Sequence, residues 1–360
     1  MYTRNTTRVV RAGTVTIGGG APVVIQSMTN TDTSDVHKTL AQIEELARAG
    51  CELVRVAVPD EKAVAVLPEL VAKSPLPLTA DIHFDYRLAL SAIRAGVAKL
   101  RINPGNIGGE DRLAEVVHLA GEKQIPIRIG VNAGSLEKRL HEKYGKATPE
   151  GMVESALDHI RMVEKLGFYD LVISLKASSV PLTVASYRLL AQTVNYPLHV
   201  GITEAGSQFS GTIYSAMGIG ALLLDGLGDT LRVSLTAPPV DEIRVAKEIL
   251  SAAELRRFGP RIISCPTCGR TQIELIALAQ ELEERVAGIK EPLTLAVMGC
   301  AVNGPGEARE ADLGIAGGKN EGLIFCAGKI VRKVPQNRLL DEFMSYLADY
   351  LAKRGEDSGS

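Results

Sequence analysis

The stretch HKTLAQIEELARAGCELVRVAV, residues 37–58, contains the unit from which the fold of this chain follows. Its first fourteen residues carry apolar side chains at the spacing of one helix face, and Gly50 is suited to end that helix. The residues ELVRVAV that follow are a short, β-branched run typical of a buried strand. The stretch therefore predicts a helix that leads directly into a strand.

Apolar runs of the same kind recur along the chain, and longer amphipathic stretches separate them. The eight runs are VVIQSM (23–28), ELVRVAV (52–58), LPLTADI (76–82), AKLRIN (98–103), IPIRIGV (125–131), DLVISLK (170–176), PLHVGIT (197–203) and TLRVSLT (230–236). Strands that alternate with helices pair in parallel, and eight such units close a (β/α)8 barrel of the TIM type, an α/β fold. An open doubly wound sheet is the alternative. The segment RVVRAGTVTIGGG (8–20) is predicted to form a hairpin that covers the bottom of the barrel.

A second, smaller unit is expected after the barrel, because the repeated pattern changes near residue 257. We expect the barrel over residues 1–257 and a small α+β domain over residues 258–360. The second region contains a predicted helix (271–288), a predicted strand (292–299), a glycine-rich loop (300–322), a further strand (323–328) and a final helix (337–355).

The composition limits the classes of function. Hydrophobic residues make up 46% and charged residues 23% of the chain, as in globular proteins, and the formal net charge is −2. This charge argues against bulk nucleic-acid binding and against attachment to a membrane surface. We expect a cytoplasmic location, because the sequence shows neither a long apolar run nor a signal peptide. In a reducing compartment, the five cysteines then indicate metal binding or catalysis more than disulfides.

Three cysteines are candidates for a metal centre. Cys265 and Cys268 form a C-x-x-C pair before a predicted helix, and Cys300 begins the glycine-rich loop. Thiolates favour zinc or an iron–sulfur cluster, and the residues by themselves leave both open. A thioredoxin-like redox pair is a further alternative, but it gives no role to Cys300.

The fourth ligand of such a centre is also open. Cys326 lies in an apolar strand and Cys51 lies between a helix and a strand of the barrel, so both are expected to pack as small hydrophobic residues. Glu307 is the carboxylate of the glycine-rich loop nearest to Cys300. Three cysteines would leave one iron atom with an unusual ligand, and such an iron can bind and reduce a substrate.

A set of polar residues lies inside or just after the predicted barrel strands. Its members are Arg55, Asp81, His83, Arg101, Asn103, Arg128, Asn132, Ser174, Lys176, His199, Thr203, Glu204, Arg232 and Ser234. Residues near the carboxyl ends of barrel strands converge on one pocket. Five of the set are Arg or Lys, which suits phosphate or diphosphate because guanidinium groups bind such oxygens with paired hydrogen bonds. Internal ion pairs with Asp81 and Glu204 are the alternative, and the excess of cations favours an anion site.

The longest connection between the predicted strands contains an additional polar piece, SLEKRLHEKYGKATPE (135–150). It follows the fifth strand, and loops that follow strands line the active sites of TIM-type barrels. We therefore predict a mobile loop over the substrate.

Seven longer motifs span both predicted domains, and they contain some of these candidate residues. The motifs are PVVIQSMTNTDT (22–33), ADIHF (80–84), RINPGN (101–106), RIGVNAGSL (128–136), GITEAG (201–206), SCPTCGR (264–270) and MGCAVNGPGE (298–307). In these motifs the chain resembles the family of bacterial 4-hydroxy-3-methylbut-2-enyl diphosphate synthases, the IspG or GcpE family. The resemblance implies the two-domain bacterial form, without the middle domain of plant-type members.

The resemblance also implies a cofactor, a reaction and partners. The cofactor would be a 4Fe–4S cluster in the C-terminal domain, held by Cys265, Cys268, Cys300 and Glu307. The reaction would convert 2-C-methyl-D-erythritol 2,4-cyclodiphosphate to 4-hydroxy-3-methylbut-2-enyl diphosphate in the non-mevalonate isoprenoid pathway. It is a two-electron reductive ring opening with loss of water, and reduced flavodoxin or ferredoxin would supply the electrons. In the implied homodimer, the cluster domain of one subunit covers the barrel of the other.

Within this expectation the polar residues have separate roles. The predicted substrate-binding residues are Arg55, Asp81, Arg101, Asn103, Arg128, Asn132, Ser174, Lys176, Arg232 and Ser234. Glu204 and His83 are candidates for protonating the departing hydroxyl. Glu204 is the first choice, because a nearby diphosphate would favour its protonated form. Glu307 is a harder ligand than a thiolate, so it could yield its place on iron to a substrate oxygen.

Two other functions fit parts of the pattern. A phosphate-binding aldolase or synthase with a structural zinc site would use Lys176 as a Schiff-base lysine. An electron-transfer or regulatory iron–sulfur protein would bind a ligand in its barrel without converting it. The cationic pocket favours an enzyme over such a carrier.

Overall fold

The structure, a computed structural model, describes residues 3–300 and 309–357, with side chains described as far as residue 354. The chain divides into two compact units, Met1–Arg256 and Arg257–Ser360. The first is a parallel α/β barrel, and the second is a mixed five-stranded sheet with helices. The predicted TIM-type barrel with a smaller α+β domain is therefore confirmed.

The first unit begins with the predicted hairpin, which covers the amino ends of the barrel strands. Strands β1 (Val10–Ala12) and β2 (Val15–Ile17) pair in antiparallel fashion. Val10, Ala12 and Ile17 are buried against three barrel residues, Val24, Leu53 and Val172, each of which lies at or near the beginning of its strand. The bottom of the barrel is closed by apolar contacts, as the sequence predicted.

Eight parallel strands form the barrel. They are β3 (Val24–Met28), β4 (Leu53–Ala57), β5 (Leu78–Asp81), β6 (Lys99–Ile102), β7 (Ile127–Asn132), β8 (Leu171–Lys176), β9 (His199–Val200) and β10 (Thr230–Leu231). They are hydrogen-bonded in the order β8-β7-β6-β5-β4-β3-β10-β9, and a parallel bridge between Ile173 and Leu198 joins the two ends. The eight predicted runs are the eight observed strands, although β9 and β10 are much shorter than their runs.

Helices surround the barrel, and neighbouring helices contact one another around it. They are α1 (Val36–Ala49), α2 (Glu61–Lys73), α3 (Tyr86–Arg94), α4 (Glu110–Glu122), α5 (Lys138–Tyr144), α6 (Pro149–Glu164), α7 (Val180–Leu190), α8 (Gln208–Leu224) and α9 (Pro239–Ala252), with short 3-10 turns at Arg4–Thr6, Pro104–Asn106 and Ala133–Ser135. Gly50 ends α1 with a φ of 100°, the left-handed conformation that glycine adopts without strain. Helix α9 ends at Ala252, and Glu254 shortly after it has a φ of 55° that is incompatible with continuation of the helix.

The segment 135–150 is not an irregular loop, because helix α5 forms within it. Arg139 and Lys143 of α5 form ion pairs with Glu154 of α6, at 3.2 and 2.7 Å. The hydroxyl of Tyr144 donates to the same carboxylate at 2.7 Å. Three partly exposed contacts of this kind attach α5 to the neighbouring helix.

The first unit ends at Arg256, which is anchored at the amino end of the barrel. Its guanidinium donates to the carbonyl of Val23 at 2.7 Å and to both carboxylate oxygens of Glu52 at 2.7 and 3.1 Å. Glu52 also accepts a hydrogen bond of 2.9 Å from the N–H of Ile25. Val23 and Glu52 directly precede β3 and β4, so the chain leaves the barrel at the end opposite to the carboxyl ends of the strands.

The second unit contains a five-stranded sheet. Its strands are β11 (Arg261–Ser264), β12 (Thr294–Met298), β13 (Leu313–Gly317), β14 (Glu321–Cys326) and β15 (Lys329–Pro335), in that order. The helices among its described residues are α10 (Leu275–Val286) and α11 (Leu339–Asp357), and a 3-10 turn spans Gln336–Arg338. Strands β11 to β13 are parallel, and β14 and β15 are antiparallel to their neighbours. Leu282, Leu295 and Phe343 belong to the core between sheet and helices.

Strand β13 corrects the sequence analysis, which predicted a loop over 300–322. A Cβ atom on Gly314 would lie 2.2 Å from Cζ of Phe325 and 2.8 Å from Cβ of Ala296. The glycine is therefore required by the buried ring on the next strand and does not indicate a turn. Residues 301–308 of the predicted loop lie outside the described part of the chain.

Candidate active site

Asp81 is the centre of an ion-pair network at the carboxyl ends of the barrel strands, an opening that we call the mouth. Its carboxylate accepts a hydrogen bond of 3.0 Å from Nη1 of Arg101 on the neighbouring strand β6. Nε of Arg55 on β4 lies 3.5 Å from the other carboxylate oxygen. His83 lies beyond the end of β5, with Nε2 at 3.7 Å from the carboxylate and 2.9 Å from Nη1 of Arg101. One acid thus lies among two arginines and a histidine.

The charges around Asp81 determine its protonation state. Burial alone would raise the pKa of Asp81, but the charge of Arg55, the hydrogen bond with His83 and the charge of Arg101 outweigh burial and lower it. Burial lowers the pKa of Arg55 to about 10, against the opposing effect of Asp81. Asp81 is therefore a carboxylate and Arg55 a cation at neutral pH.

Arg232 has its own carboxylate, which the sequence analysis did not single out. Nε and Nη2 of Arg232 donate to Glu242 of α9 at 3.3 and 3.2 Å. Glu242 is 3% exposed and also accepts from the hydroxyl of Ser27 at 2.9 Å and from the N–H of Leu235 at 3.2 Å. The alternative of internal ion pairs is thus correct for Asp81. It is not correct for Glu204, which is exposed. The second acid that pairs with an arginine of the barrel is Glu242.

Arg128 and Lys176 are two further predicted cations that are buried inside the barrel. Arg128 is 1% exposed, and its Nε and Nη1 have no hydrogen-bond partner within residues 3–300 and 309–354. Burial, and then the charges of Arg55 and Arg101, lower the pKa of Arg128. Burial, and then the charges of Arg128 and Arg55, likewise lower the pKa of Lys176. An anion among these side chains would relieve both effects, because it favours the charged form of each.

The other predicted substrate-binding residues lie around this region, in different environments. Asn103 follows β6 and its Oδ1 accepts from the N–H of Gly105 at 3.0 Å. Ser174 is buried, and its hydroxyl lies 3.4 Å from the carbonyl of Ile129. Asn132 ends β7, and Ser234 follows β10; both are half-buried. The structure thus places all of them in or beyond the carboxyl halves of barrel strands.

Glu204 lies on the exposed rim of the mouth, in the connection between β9 and α8. Its φ of 54° is a left-handed conformation that a non-glycine residue adopts at a cost. The residue borders a cleft of about 810 Å³ that is also lined by Ser178, Ser179, Ser210, Tyr214 and Met217. Glu204 and His83, whose side chain is 53% exposed, are both accessible to a substrate that enters from outside.

The sequence analysis missed Lys99, which is buried inside the barrel and donates to Oε1 of Gln26 at 3.0 Å. With Lys99 included, six Lys and Arg side chains of the barrel interior, Arg55, Lys99, Arg101, Arg128, Lys176 and Arg232, face two paired carboxylates, Asp81 and Glu242. Period-two alternation of β6 would have indicated that Lys99 and Arg101 share a side of the strand.

The three candidate ligand cysteines belong to the second unit. Cys265 directly follows β11, and Cys300 follows β12 by two residues, so they share the carboxyl edge of two parallel neighbouring strands. The N–H of Gly299 donates to Sγ of Cys265 at 3.2 Å. Cys268 is exposed in the turn, where its N–H donates to Thr271 Oγ1 at 3.1 Å. Backbone hydrogen bonding from Arg270 is the main cause that lowers the pKa of the Cys268 thiol.

These cysteines do not form a site for a single ion in the described part of the chain. Among residues 3–300 and 309–354, no three His, Cys, Asp or Glu side chains converge as the ligands of one metal ion would. The predicted fourth ligand, Glu307, lies outside the described residues. Cys326 packs against the apolar core of the second unit, and Cys51 is buried with its thiol 3.3 Å from the carbonyl of Leu53.

Both units match models of known domains. The model of the GcpE TIM-barrel domain matches residues 7–247, and that of the GcpE protein C-terminal domain matches residues 261–349. A relative from Geobacter sulfurreducens, named 4-hydroxy-3-methylbut-2-en-1-yl diphosphate synthase (flavodoxin), is 60% identical and covers 97% of this chain and 99% of its own. A relative of the same name from Maridesulfovibrio salexigens is 58% identical and covers 99% of this chain and 100% of its own.

A solved structure provides a comparison at the level of the fold. The N-acetylneuraminic acid (sialic acid) synthetase from Leptospira borgpetersenii, in complex with citrate, superimposes with a TM-score of 0.52 at 12% identity. The match covers 78% of this chain and 96% of that one, and it concerns the fold alone. The two domain models in sequence order, together with relatives of 58–60% identity over nearly the whole chain, show that this chain belongs to the GcpE family.

Proposed function

We propose that this protein is a 4-hydroxy-3-methylbut-2-en-1-yl diphosphate synthase, which reduces 2-C-methyl-D-erythritol 2,4-cyclodiphosphate in the non-mevalonate isoprenoid pathway. The observation that carries the proposal is the excess of cations inside the barrel, where four buried and two half-buried Lys and Arg side chains face two carboxylates. A diphosphate is the ligand that such an excess favours, because it offers several oxygens to guanidinium and ammonium donors. Membership of the GcpE family then selects the reaction.

The reaction consumes two electrons and two protons. The bond between a ring carbon and a phosphate oxygen breaks, the hydroxyl of the adjacent carbon leaves as water, and a double bond forms between the two carbons. The protein must therefore hold a diphosphate during ring opening and must protonate a departing hydroxyl.

Arg128 and Lys176 are proposed as the main diphosphate ligands, because burial and like charges make them the cations most in need of an anion. Arg55 and Arg101 would contact the same group from the Asp81 network. The remaining proposed contacts are Asp81, Asn103, Asn132, Ser174, Arg232 and Ser234, all in or after barrel strands. Asp81 and Glu242 then act by holding arginines in position.

Glu204 is proposed as the proton donor, with His83 as the second candidate. Glu204 is accessible, and its left-handed backbone is of the kind that is often retained for function. Exchange of Glu204 for Gln should lower kcat at least about 100-fold, in line with the usual contribution of a general acid, while binding of the substrate is retained. Near-wild-type turnover of E204Q would transfer the role to His83, for which H83Q is the matched test.

We further propose that Cys265, Cys268, Cys300 and Glu307 hold a 4Fe–4S cluster. The donor set fits, because thiolates are the usual cluster ligands and the N–H of Gly299 already donates to Sγ of Cys265. Each ligand of such a cluster binds a different iron atom, so the sulfur atoms need not converge as they would on one ion. When bound, the cluster supplies the two electrons. Glu307 would be the most readily exchanged ligand of the set, because a carboxylate is a harder donor than a thiolate.

Reduced flavodoxin is the proposed electron donor, since the names of the relatives include flavodoxin. A cytoplasmic location accords with a donor and cluster that need a reducing compartment. None of the described helices has the length and apolarity needed to cross a membrane.

A homodimer is also proposed, with the cluster domain of one subunit over the barrel of its partner. The anchoring of Arg256 supports this arrangement, because the chain leaves its own barrel at the end opposite to the mouth. Exposed apolar side chains along α8 offer a surface for a second copy, namely Phe209, Ile213, Tyr214, Met217 and Leu224. Phe209 is 78% exposed, so F209E should convert a dimer to a monomer in sedimentation velocity.

The proposal is tested by an anaerobic assay of purified protein with the cyclodiphosphate and a chemical reductant, with identification of the product. A colourless protein that contains stoichiometric zinc but no iron or sulfide would overturn the cluster assignment. A cluster-containing protein that binds the substrate without converting it would instead favour a carrier.

A further inference from the structure

A layer of polar side chains lies inside the barrel beneath the Asp81 network. Thr79 and Lys99 precede Asp81 and Arg101 by two residues on β5 and β6, so they point in the same direction, one layer closer to the hairpin. We call this layer the floor. Its members are Gln26, Thr79, Lys99, Arg128, His199 and Thr230, and each is at most 1% exposed.

The floor residues come together from strands that are distant in the sheet. Nζ of Lys99 donates to Oε1 of Gln26 at 3.0 Å, although β6 and β3 are separated by two strands in the barrel order. Nδ1 of His199 lies 3.4 Å from the hydroxyl of Thr230. After burial, the charge of Arg128 is the next cause that lowers the pKa of both Lys99 and His199. The floor residues are therefore neighbours in the barrel interior, although they come from separate strands.

Several polar atoms of the floor have no partner within residues 3–300 and 309–354. They are Nε2 of Gln26, Oγ1 of Thr79, Nε and Nη1 of Arg128 and Nε2 of His199. The atoms of Gln26 and Arg128 can only donate. A buried donor without an acceptor costs about 1–3 kcal/mol, more when it is charged. The floor consequently requires an acceptor that the described residues do not provide.

No carboxylate is available to serve as that acceptor, because the three buried acids of the described chain have other partners. Asp81 is bound by Arg101, and Glu242 by Arg232 and Ser27. Asp229 accepts from the hydroxyl of Thr7 and from the N–H of Leu198, at the amino ends of the strands. Lys99 and Arg128 are thus two buried cations without a counter-ion in their own layer.

We propose that the floor is a binding site for one small inorganic anion of the size of chloride, distinct from the diphosphate site at the mouth. A spherical anion accepts hydrogen bonds from all directions, which matches donors that arrive from separate strands. It also supplies the negative charge that a water molecule would lack, and an uncompensated buried cation is costly. Oxygen anions with several charges suit the mouth, where Arg55, Arg101 and Arg232 provide further donors.

Occupation of the floor has a consequence for the pocket above it. Arg128 belongs to both sites, so an anion beneath it would neutralise part of the charge that a diphosphate encounters. Raising chloride at constant ionic strength should therefore weaken substrate binding several-fold, whereas a bulky anion such as gluconate should not.

The decisive measurement reads binding and not turnover, so its outcome is independent of the proposed function. Crystals of the anaerobically purified protein are grown in bromide, and anomalous maps are compared on the two sides of the bromine absorption edge, which separates bromine from iron. We expect a bromine peak within hydrogen-bonding distance of Nζ of Lys99 and of Arg128. A water molecule at this position in bromide crystals, or a peak at the mouth alone, overturns the proposal.

A measurement in solution tests whether the anion also binds at concentrations lower than those used for crystals. Replacing gluconate by chloride at equal ionic strength should raise the thermal midpoint of the wild-type protein on the order of 2–4 °C. The increase should vanish in Lys99→Met, which removes the charge at similar volume, and should persist in Lys62→Met, where the lysine is exposed on α2. If Lys99→Met does not fold, the wild-type comparison of chloride with gluconate decides alone: no difference between the two salts contradicts the proposal.

Discussion

Nη1 of Arg101 donates to the carboxylate of Asp81 at 3.0 Å, and both side chains are 6% exposed. The same carboxylate also lies beside Arg55, so one acid holds two guanidinium groups of the mouth. Loss of one member of a buried ion pair leaves the other as an uncompensated charge. The position of both arginines therefore depends on Asp81.

Exchange of Asp81 for Asn should destabilise the protein strongly. We expect the free energy of unfolding to fall by about 3–5 kcal/mol, because Arg55 and Arg101 lose their shared counter-ion. Denaturant unfolding of the anaerobic protein measures this change. The matched control is Asp85→Asn, which keeps a side-chain oxygen to cap α3 but removes a more exposed ion pair with Arg87, and which should cost no more than about 1 kcal/mol. Equal losses in the two variants would contradict the role assigned to Asp81.

The contribution of Asp81 to the free energy of unfolding should also depend on pH. The pKa of Asp81 is lower in the folded protein than in an unfolded chain, where it is about 3.9. Its stabilising effect is accordingly complete above about pH 4 and is lost as the pH falls below that value. The difference in unfolding free energy between wild type and D81N should be constant from pH 7 to about pH 5 and should narrow under more acidic conditions. A difference that widens with acidification would have the wrong sign.

Gly130 of β7 makes room for the arginine on the neighbouring strand. A Cβ atom there would lie 2.9 Å from Nε and 3.2 Å from Nη2 of Arg101, and 3.4 Å from the hydroxyl of Ser174. Gly130→Ala should displace Arg101 and raise KM roughly 10-fold, the effect of losing about 1.4 kcal/mol of binding, with the absorbance of the cluster unchanged. Gly220→Ala is the control, since no atom lies within 4 Å of the added carbon. An unchanged KM in G130A would show that Arg101 does not contact the substrate.

Glu242 should be necessary for both stability and substrate binding. In Glu242→Gln the guanidinium of Arg232 loses its charged partner, so we expect about 3 kcal/mol less stability and a higher KM. The control is Glu248→Gln, an exposed position on the same helix, for which both quantities should stay within error. Calorimetry of substrate binding separates the two effects, because a purely structural Glu242 would leave the affinity of the folded fraction unchanged.

The sequence predicts the barrel well because each strand repeats the same physical requirement. Strands buried on both faces need continuous β-branched runs, and ELVRVAV (52–58) is one of eight such runs. The charged residues inside these runs stand out against the apolar background, so Arg55, Arg101 and Arg128 could be selected without a structure.

What the sequence does not reveal depends on tertiary contacts. Glu242 resembles an ordinary acidic residue in the first turn of a helix until Arg232 is placed beside it. Lys99 lies at the beginning of its strand, where a lysine usually reaches solvent, and only closure of the barrel buries it. Gly314 and Gly317 suggest a turn, although the neighbouring side chains of Phe325 and Ile273 are what require glycine in β13.

The hairpin closes the barrel at the amino ends of its strands and leaves the carboxyl ends open. Val10, Ala12 and Ile17 seal its base with apolar side chains, so solutes approach the interior from the rim. If both proposed sites are occupied, the small anion must therefore bind to the floor before the diphosphate binds at the mouth, and it must leave after the diphosphate. A diphosphate bound at the mouth would block the opening, so an anion on the floor would exchange with solvent only between catalytic cycles.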